Sequence, residues 1–209
     1  VKILIGIPSM DMVSVHFCRS LVTLQKLENC SVSFVIDSLI YSARNEICRQ
    51  ALKDSYDYVL WLDSDMVFPP ETLAKLLADG KNIVTGLYYR RQPPFSPVIY
   101  SKLEISGNIC EQDGYASPPE VLFPVAGCGF GCLLLNTDIL RRMEAENGPT
   151  WFAPMGNVGE DLAFCIRARR LGETIWCDPG IKLGHVGHII INADDYKREA
   201  LNGSATRNA

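Results

Sequence analysis

The sequence lacks any apolar run approaching the ~20 residues needed for a membrane-spanning helix; its longest wholly apolar stretches are a few residues. It also lacks a Lys/Arg-rich block. Twenty basic residues stand against 24 acidic ones, for a net charge of −4, so the electrostatic footprint of a nucleic-acid binder is missing. None of the eight cysteines, Cys18, Cys30, Cys48, Cys110, Cys128, Cys132, Cys165 and Cys177, forms a CxxC pair, which leaves "CGFGC" as only a weak zinc pattern. Their dispersal among apolar positions predicts buried reduced thiols rather than a disulfide framework. No internal repeat or low-complexity tract occurs, and the opening "VKILIGIPSM" has a strand-length apolar run without the cleavage pattern of a secretory signal. What is present, 209 residues with 47% hydrophobic and 21% charged content, suits a globular enzyme with one core. The expectation is a single catalytic domain over 1–196 and a polar tail over 197–209. Its expected location is cytoplasmic, with peripheral attachment to a membrane left open.

Strand-like and helix-like segments alternate. "KILIGIPS", "SVSFVID", "YVLWLDSD" and "NIVTGLYYR" read as strands. Between them, "VHFCRSLVTLQKLEN", "SARNEICRQALKDS", with Ser42 or a neighbour near its N-cap, and "PPETLAKLLADG" read as helices. That alternation predicts an α/β fold with a mostly parallel central sheet. From Arg90 to Pro119 the chain turns rich in Pro, Gly and Ser, which predicts loops over the sheet. Order resumes with "FPVAGCGFGCLLLNTDILRRMEAEN", the amphipathic "GEDLAFCIRARRLG", and the strand and turn "TIWCDPGIKLGHVG".

The most pointed feature is "YVLWLDSDMVFPP", where a buried strand ends on Asp63 and Asp65 with only Ser64 between them. Ligands of open parallel sheets bind beyond the carboxyl ends of the strands. Two carboxylates there repel each other and lose hydration, and a hard divalent cation, Mg²⁺ or Mn²⁺, relieves both penalties. Asp is also an ordinary turn residue, so capping of the next turn is the plain alternative. Two downstream features have complementary chemistry. Glu160 and Asp161 open a helix behind Gly159, where acidic residues compensate the helix dipole. His185 in "IKLGHVGH" ends a strand, where imidazole is either structural or a metal donor. Gly127, Gly129 and Gly131 allow close approach of a substrate or of another element. Tyr88, Tyr89, Trp151 and Phe152 offer flat apolar faces for a ligand ring or for packing. Arg90 and Arg91 are either a solvated pair or partners for an anionic ligand.

Taken in order, "LWLDSDMVFPPETLAKLL", "GCGFGCLLLNTDIL" and "GEDLAFCIRARRLGETIWCDPGIKLGHVG" resemble glycosyltransferase family 2 enzymes of the GT-A fold, from about Ile3 to His188. The resemblance implies a Rossmann-like three-layer sandwich. It implies transfer of a sugar, expected to be a hexosyl group, from a nucleotide-diphosphate sugar, a UDP-sugar being favoured, to a hydroxyl of a glycan, lipid or protein acceptor. It further implies that Asp65 binds Mn²⁺ or Mg²⁺, that Asp63 contributes to the metal or the ribose, and that His185 is a later metal ligand. Pro8 and Asp11 match the first-strand nucleotide loop loosely. Asp37, Arg44 and Asn45 match positions on the base and diphosphate side, and Ser64 belongs to the same donor-binding stretch. Asp161 would be the catalytic base of an inverting transfer, with Glu160 the nearby alternative.

Two further readings compete. A haloacid dehalogenase-type phosphohydrolase also places DxD at a strand end, with "NIVTG" and "HIIINADDY" as its later motifs, but its first motif opens the domain. A non-catalytic sugar-nucleotide binder would use the same donor residues.

Overall fold

The computed structural model describes residues 1–36, 39–106 and 109–187. In chain order the elements are β1 (Ile3–Pro8), α1 (Val15–Thr23), β2 (Cys30–Val35), α2 (Ile40–Lys53), β3 (Tyr58–Leu62), β4 (Met66–Val67), α3 (Thr72–Ala78) and β5 (Ile83–Leu87). They continue with β6 (Ile99–Ser106), β7 (Ile109–Gly114), β8 (Phe123–Val125), β9 (Gly127–Cys128), β10 (Cys132–Asn136), α4 (Thr137–Asn147), α5 (Glu160–Arg170), β11 (Ile175–Lys182) and β12 (Gly184–His185).

Strands β1, β3 and β10 are apolar on both faces because each face meets a helical layer. Ile3, Ile5, Ile7, Leu60, Leu62 and Leu134 pack with Phe17 of α1 and Leu73 and Leu76 of α3. On the opposite face, Leu4, Val59, Trp61, Leu133 and Leu135 pack with Ile47 of α2, Ile139 and Leu140 of α4, and Phe164 of α5. The sheet between them has seven strands in the order β2-β1-β3-β10-β5-β11-β8. β2 and β3 run parallel to β1, and β11 runs parallel to β5, while β10 and β8 are antiparallel to their neighbours. The result is the expected three-layer α/β sandwich with a mostly parallel sheet.

Several local expectations shift. The first helix stops at Thr23, short of Asn29, and the chain beyond it is tied down where the Gln25 amide donates to the Pro70 carbonyl at 2.9 Å. Leu39, not Ser42, is the N-cap of α2. The expected loops between Arg90 and Pro119 contain a long hairpin, because β6 pairs antiparallel with β7 and with β9 in a second, three-stranded sheet. Alternation in "IYSKLEIS" carries that hairpin, with Leu103 buried between the more exposed Lys102 and Glu104; the flanking Pro- and Gly-rich turns mask it in composition. All eight cysteines are free, and Cys48, Cys128, Cys132, Cys165 and Cys177 are buried. Among the described residues no helix is long and apolar enough to cross a membrane. Asp37, the Asp194–Asp195 pair and the tail after Tyr196 lie outside the described residues.

Candidate active site

Strand β3 runs out of the sheet directly into Asp63, whose amide donates to the Gly131 carbonyl at 3.0 Å. The Met66 amide donates back to the Asp63 carbonyl at 3.0 Å, closing a four-residue turn over Ser64 and Asp65. Immediately after it, β4 pairs antiparallel with β12, setting Met66 opposite His185, and the Val186 amide donates to the Asp65 carbonyl at 2.8 Å. This short ribbon is the local reason why a residue near the carboxyl end of the described chain meets the β3 turn.

Asp65 and His185 therefore face each other, with Nε2 of the ring 3.3 Å from Asp65 Oδ2. The other ring nitrogen, Nδ1, donates to the Tyr89 carbonyl at 2.9 Å, which fixes the ring and leaves Nε2 directed at the carboxylate. The hydrogen bond to Asp65 raises the His185 pKa, against burial, with help from the Tyr89 carbonyl. Burial alone would raise Asp65, but the hydrogen bond and charge of His185, and the charge of Arg91, hold it below the usual carboxylate value. Arg91 reaches Asp65 from outside the ribbon, with Nη1 2.5 Å from Oδ2.

Asp63 faces a different partner. Arg44 of α2 is 2% exposed and places Nη2 3.2 Å from Asp63 Oδ1 and 3.2 Å from Asp161 Oδ1, with Nε 3.8 Å from Glu160 Oε1. Around it stand the rings of Phe130, Phe152 and Trp61, 5.3, 5.6 and 5.8 Å from the guanidinium carbon. Burial pushes the Arg44 pKa down, but Asp161, Asp63 and Glu160 together overcome this and hold it above its ordinary value. Asp161 lies in the first turn of α5, and its Oδ2 accepts the Phe130 amide at 3.1 Å. Its Oδ1 is buried 3.2 Å from Arg44 Nη2 without a hydrogen bond, while the side chain as a whole is 25% exposed. Burial raises its pKa to about 7; Arg44 opposes the shift, while Asp63 and Glu160 add to it. Burial also raises Asp63, against the pull of Arg44.

Two clefts meet at the β3 turn. One, of about 280 Å³, runs along Pro8, Ser9, Ile40, Ser64 and the two carboxylates; the other, of about 550 Å³, is bounded by Tyr88, Arg90, Ser96, Asp161 and His185. Asp63, Asp65 and Arg91 line both. The structure thus brings Pro8, Asp63, Ser64, Asp65, Asp161 and His185 to one continuous opening.

Other sequence candidates go elsewhere. Asn45 is 9% exposed, and its Oδ1 accepts the Phe152 amide at 3.0 Å, so it braces the loop after α4 and faces no cleft. Arg44 is likewise beneath the carboxylates instead of open to a nucleotide. Asp11 is exposed beside the β1 end and lines neither cleft. Trp151 and Phe152 are core residues at 1% and 0% exposure, leaving Tyr89 as the exposed member of the four aromatics. The alternating glycines serve packing: a Cβ at Gly129 would stand 2.1 Å from the Tyr88 hydroxyl, and one at Gly131 2.9 Å from Met66 Sδ and from the Tyr88 ring. Tyr88 fills that space and accepts the Gly131 amide at 3.2 Å.

The buried role of Arg44 was readable in principle. It shares one face of α2 with Ala43, Ile47, Cys48 and Ala51, all buried, and a guanidinium on an apolar face demands carboxylates nearby. No comparable signal distinguishes Arg91 from a solvated residue.

Among the described residues, no three or more His, Cys, Asp and Glu side chains converge as a ready metal cage. The chain matches no curated protein sequence. Its fold is that of A197 from STIV, 20% identical, with a TM-score of 0.67 over 90% of this chain and 87% of that one. It also matches GalNAc-T7, whose crystal structure contains UDP, GalNAc and Mn²⁺, at 9% identity and a TM-score of 0.62. That likeness covers 90% of this chain but only 44% of GalNAc-T7. Both likenesses are of fold. In sequence, residues 36–141, which include α2, the β3 turn and β10, match the Glycosyl transferase family 2 profile, and the chain belongs to that family.

Proposed function

We propose that this chain transfers a hexosyl group from a nucleotide-diphosphate sugar, a UDP-sugar being the favoured donor, to an acceptor hydroxyl with the help of Mn²⁺ or Mg²⁺. The observation that carries this reading is the 3.3 Å approach of His185 Nε2 to Asp65 Oδ2 on the wall of the cleft that Asp161 also lines. Two donor atoms about 3 Å apart span one edge of an octahedron with ~2.1 Å metal–ligand distances. Mg²⁺-like ions are commonly held by one or two protein groups, with substrate phosphates and water completing the shell. The residues present therefore fit an ion that arrives with a diphosphate, and the absence of a three-ligand cage is compatible with that. When bound, such an ion supplies Lewis-acid stabilisation of the leaving diphosphate, worth several kcal/mol in the transition state.

The protein's own groups divide the remaining work. Pro8, Ser9 and Ser64 offer the donor a cleft at the carboxyl ends of β1 and β3. Asp63, held by Arg44 yet 28% exposed, is available to a ribose hydroxyl or to the ion's water shell. The Asp161 carboxylate accepts the proton of the attacking acceptor hydroxyl, a role helped by a pKa raised to about 7. Glu160, the nearby alternative base, lies farther from Arg44, with Oε1 3.8 Å from Nε. Displacement from the face opposite the leaving diphosphate inverts the anomeric centre; retention in the product would remove Asp161 from this role. The phosphohydrolase reading has no such support, because residues 36–141 match the Glycosyl transferase family 2 profile and that reading leaves Asp161 and His185 without a role.

Thermal melting with UDP, GDP and CDP, each with and without Mn²⁺, tests the donor assignment. UDP with Mn²⁺ at ~100 times its dissociation constant should stabilise the fold by about 2.7 kcal/mol, or roughly 5–10 °C in a chain of this size. No shift with any nucleotide, or an equal shift without metal, contradicts it.

A further inference from the structure

Asp65 faces two basic groups in the structure, His185 and Arg91. Arg91 is 50% exposed, and its Nη1 is 2.5 Å from Asp65 Oδ2, the same oxygen that faces His185 Nε2. The backbone before it is held where the Arg90 amide donates to the Ser96 carbonyl at 2.9 Å, and Gly187 lies close enough that a Cβ there would stand 3.2 Å from the Arg91 carbonyl oxygen. The side chain is free by comparison, because Arg91 has no ion-pair partner other than Asp65 among the described residues. Arg90 is committed elsewhere, donating from Nη2 to the Tyr100 hydroxyl at 3.0 Å. Arg91 also lines both clefts that meet at the β3 turn.

We propose that Arg91 is a competing counter-ion at Asp65 that a divalent cation displaces, and that the displaced guanidinium then binds the donor's diphosphate. This rests on the metal-dependent reading above. A divalent cation bound at Asp65 Oδ2 would compete with Arg91 for that oxygen and would repel its positive charge at short range. A diphosphate in the adjoining cleft presents a multiply charged acceptor whose paired oxygens suit the planar guanidinium fork. Rotation of the side chain about its fixed backbone moves Arg91 from one anion to the other within the opening it already lines. The ion and the nucleotide therefore strengthen each other's binding, in part through Arg91, and linkage requires the effect to be reciprocal.

The test is a titration of Mn²⁺ into the full chain, followed by the electron paramagnetic resonance signal of free Mn²⁺, for wild type and Arg91→Gln, with and without UDP. Without UDP, Arg91→Gln should bind Mn²⁺ about 3- to 5-fold more tightly than wild type, the scale of a partly exposed ion pair. With Mn²⁺ saturating, its affinity for UDP should fall, and the tightening of Mn²⁺ by UDP should shrink by the same factor. Mn²⁺ affinity in Arg91→Gln equal to or weaker than wild type, with UDP-dependent Mn²⁺ binding intact in both, overturns the role of Arg91 alone. No Mn²⁺ binding by wild type even with UDP removes the metal-dependent reading as well.

Discussion

Asp161→Asn is expected to slow sugar transfer by about 10²- to 10⁴-fold, the usual contribution of a positioned general base, while UDP still binds with Mn²⁺. The amide keeps the size of the side chain and can still accept the Phe130 amide, which wild-type Asp161 accepts at 3.1 Å. It cannot take the acceptor's proton. The same carboxylate governs the pH profile. Burial raises its pKa to about 7, so wild-type transfer should rise with pH through that value and level off above it, as the ionised form becomes fully populated. For stability the sign is opposite. The folded state holds this proton between the ordinary value of 3.8 and about 7, so the contribution of Asp161 declines as pH rises through that window. Stopped-flow or steady-state rates of UDP release across pH, with nucleotide binding measured in parallel, check both halves. A variant that loses transfer and Mn²⁺-dependent UDP binding together would assign Asp161 to the donor site instead of proton transfer.

Arg44→Met should be the most destabilising single change in the site, at about 3–5 kcal/mol, because it strands carboxylates that share one buried counter-ion. Arg44 is 2% exposed and its guanidinium serves Asp63, Asp161 and Glu160 together. At roughly 2–4 °C per kcal/mol for a chain of this length, the melting temperature should fall by about 6–20 °C. Methionine retains much of the packing against Trp61, Phe130 and Phe152, so the loss reports charge more than volume. The pH dependence separates the two. Removing Arg44 removes the influence that lowers the pKa of Asp63 and Asp161, so both carboxylates take up protons more readily and the penalty should shrink between about pH 8 and about pH 5. A melting deficit that stays constant over that range would mean that Arg44 matters through its contacts with the rings.

The sequence made the layered fold legible because its strands are apolar on both faces and its helices are bounded by turn residues. It also made Asp63, Asp65, Asp161 and His185 legible as chemistry out of place, since charge at a strand end or helix entrance needs a partner. Their division into two groups was not legible. Asp65 joins His185 only because β4 and β12 form a two-residue ribbon, too short to leave any periodic signal. Asp63 joins Asp161 through Arg44, whose burial follows from the apolar spacing of α2 but whose partners come from β3 and α5. Alternation in "CGFGC" implied closeness without naming the neighbour; Tyr88 supplies it, so the glycines shape the cleft wall instead of admitting a substrate. The β6–β7 hairpin was hidden by turn-rich flanks that looked like continuous loop.

A divalent ion held by Asp65 and His185 would make UDP binding metal-dependent, and calorimetric titration of UDP with and without Mn²⁺ into wild type, Asp65→Ala and His185→Ala measures that dependence. Mn²⁺ should tighten UDP binding by wild type, and each substitution should abolish most of that gain while leaving the fold's melting profile close to wild type. Undiminished Mn²⁺-dependent UDP binding in both variants would contradict an ion held by Asp65 and His185.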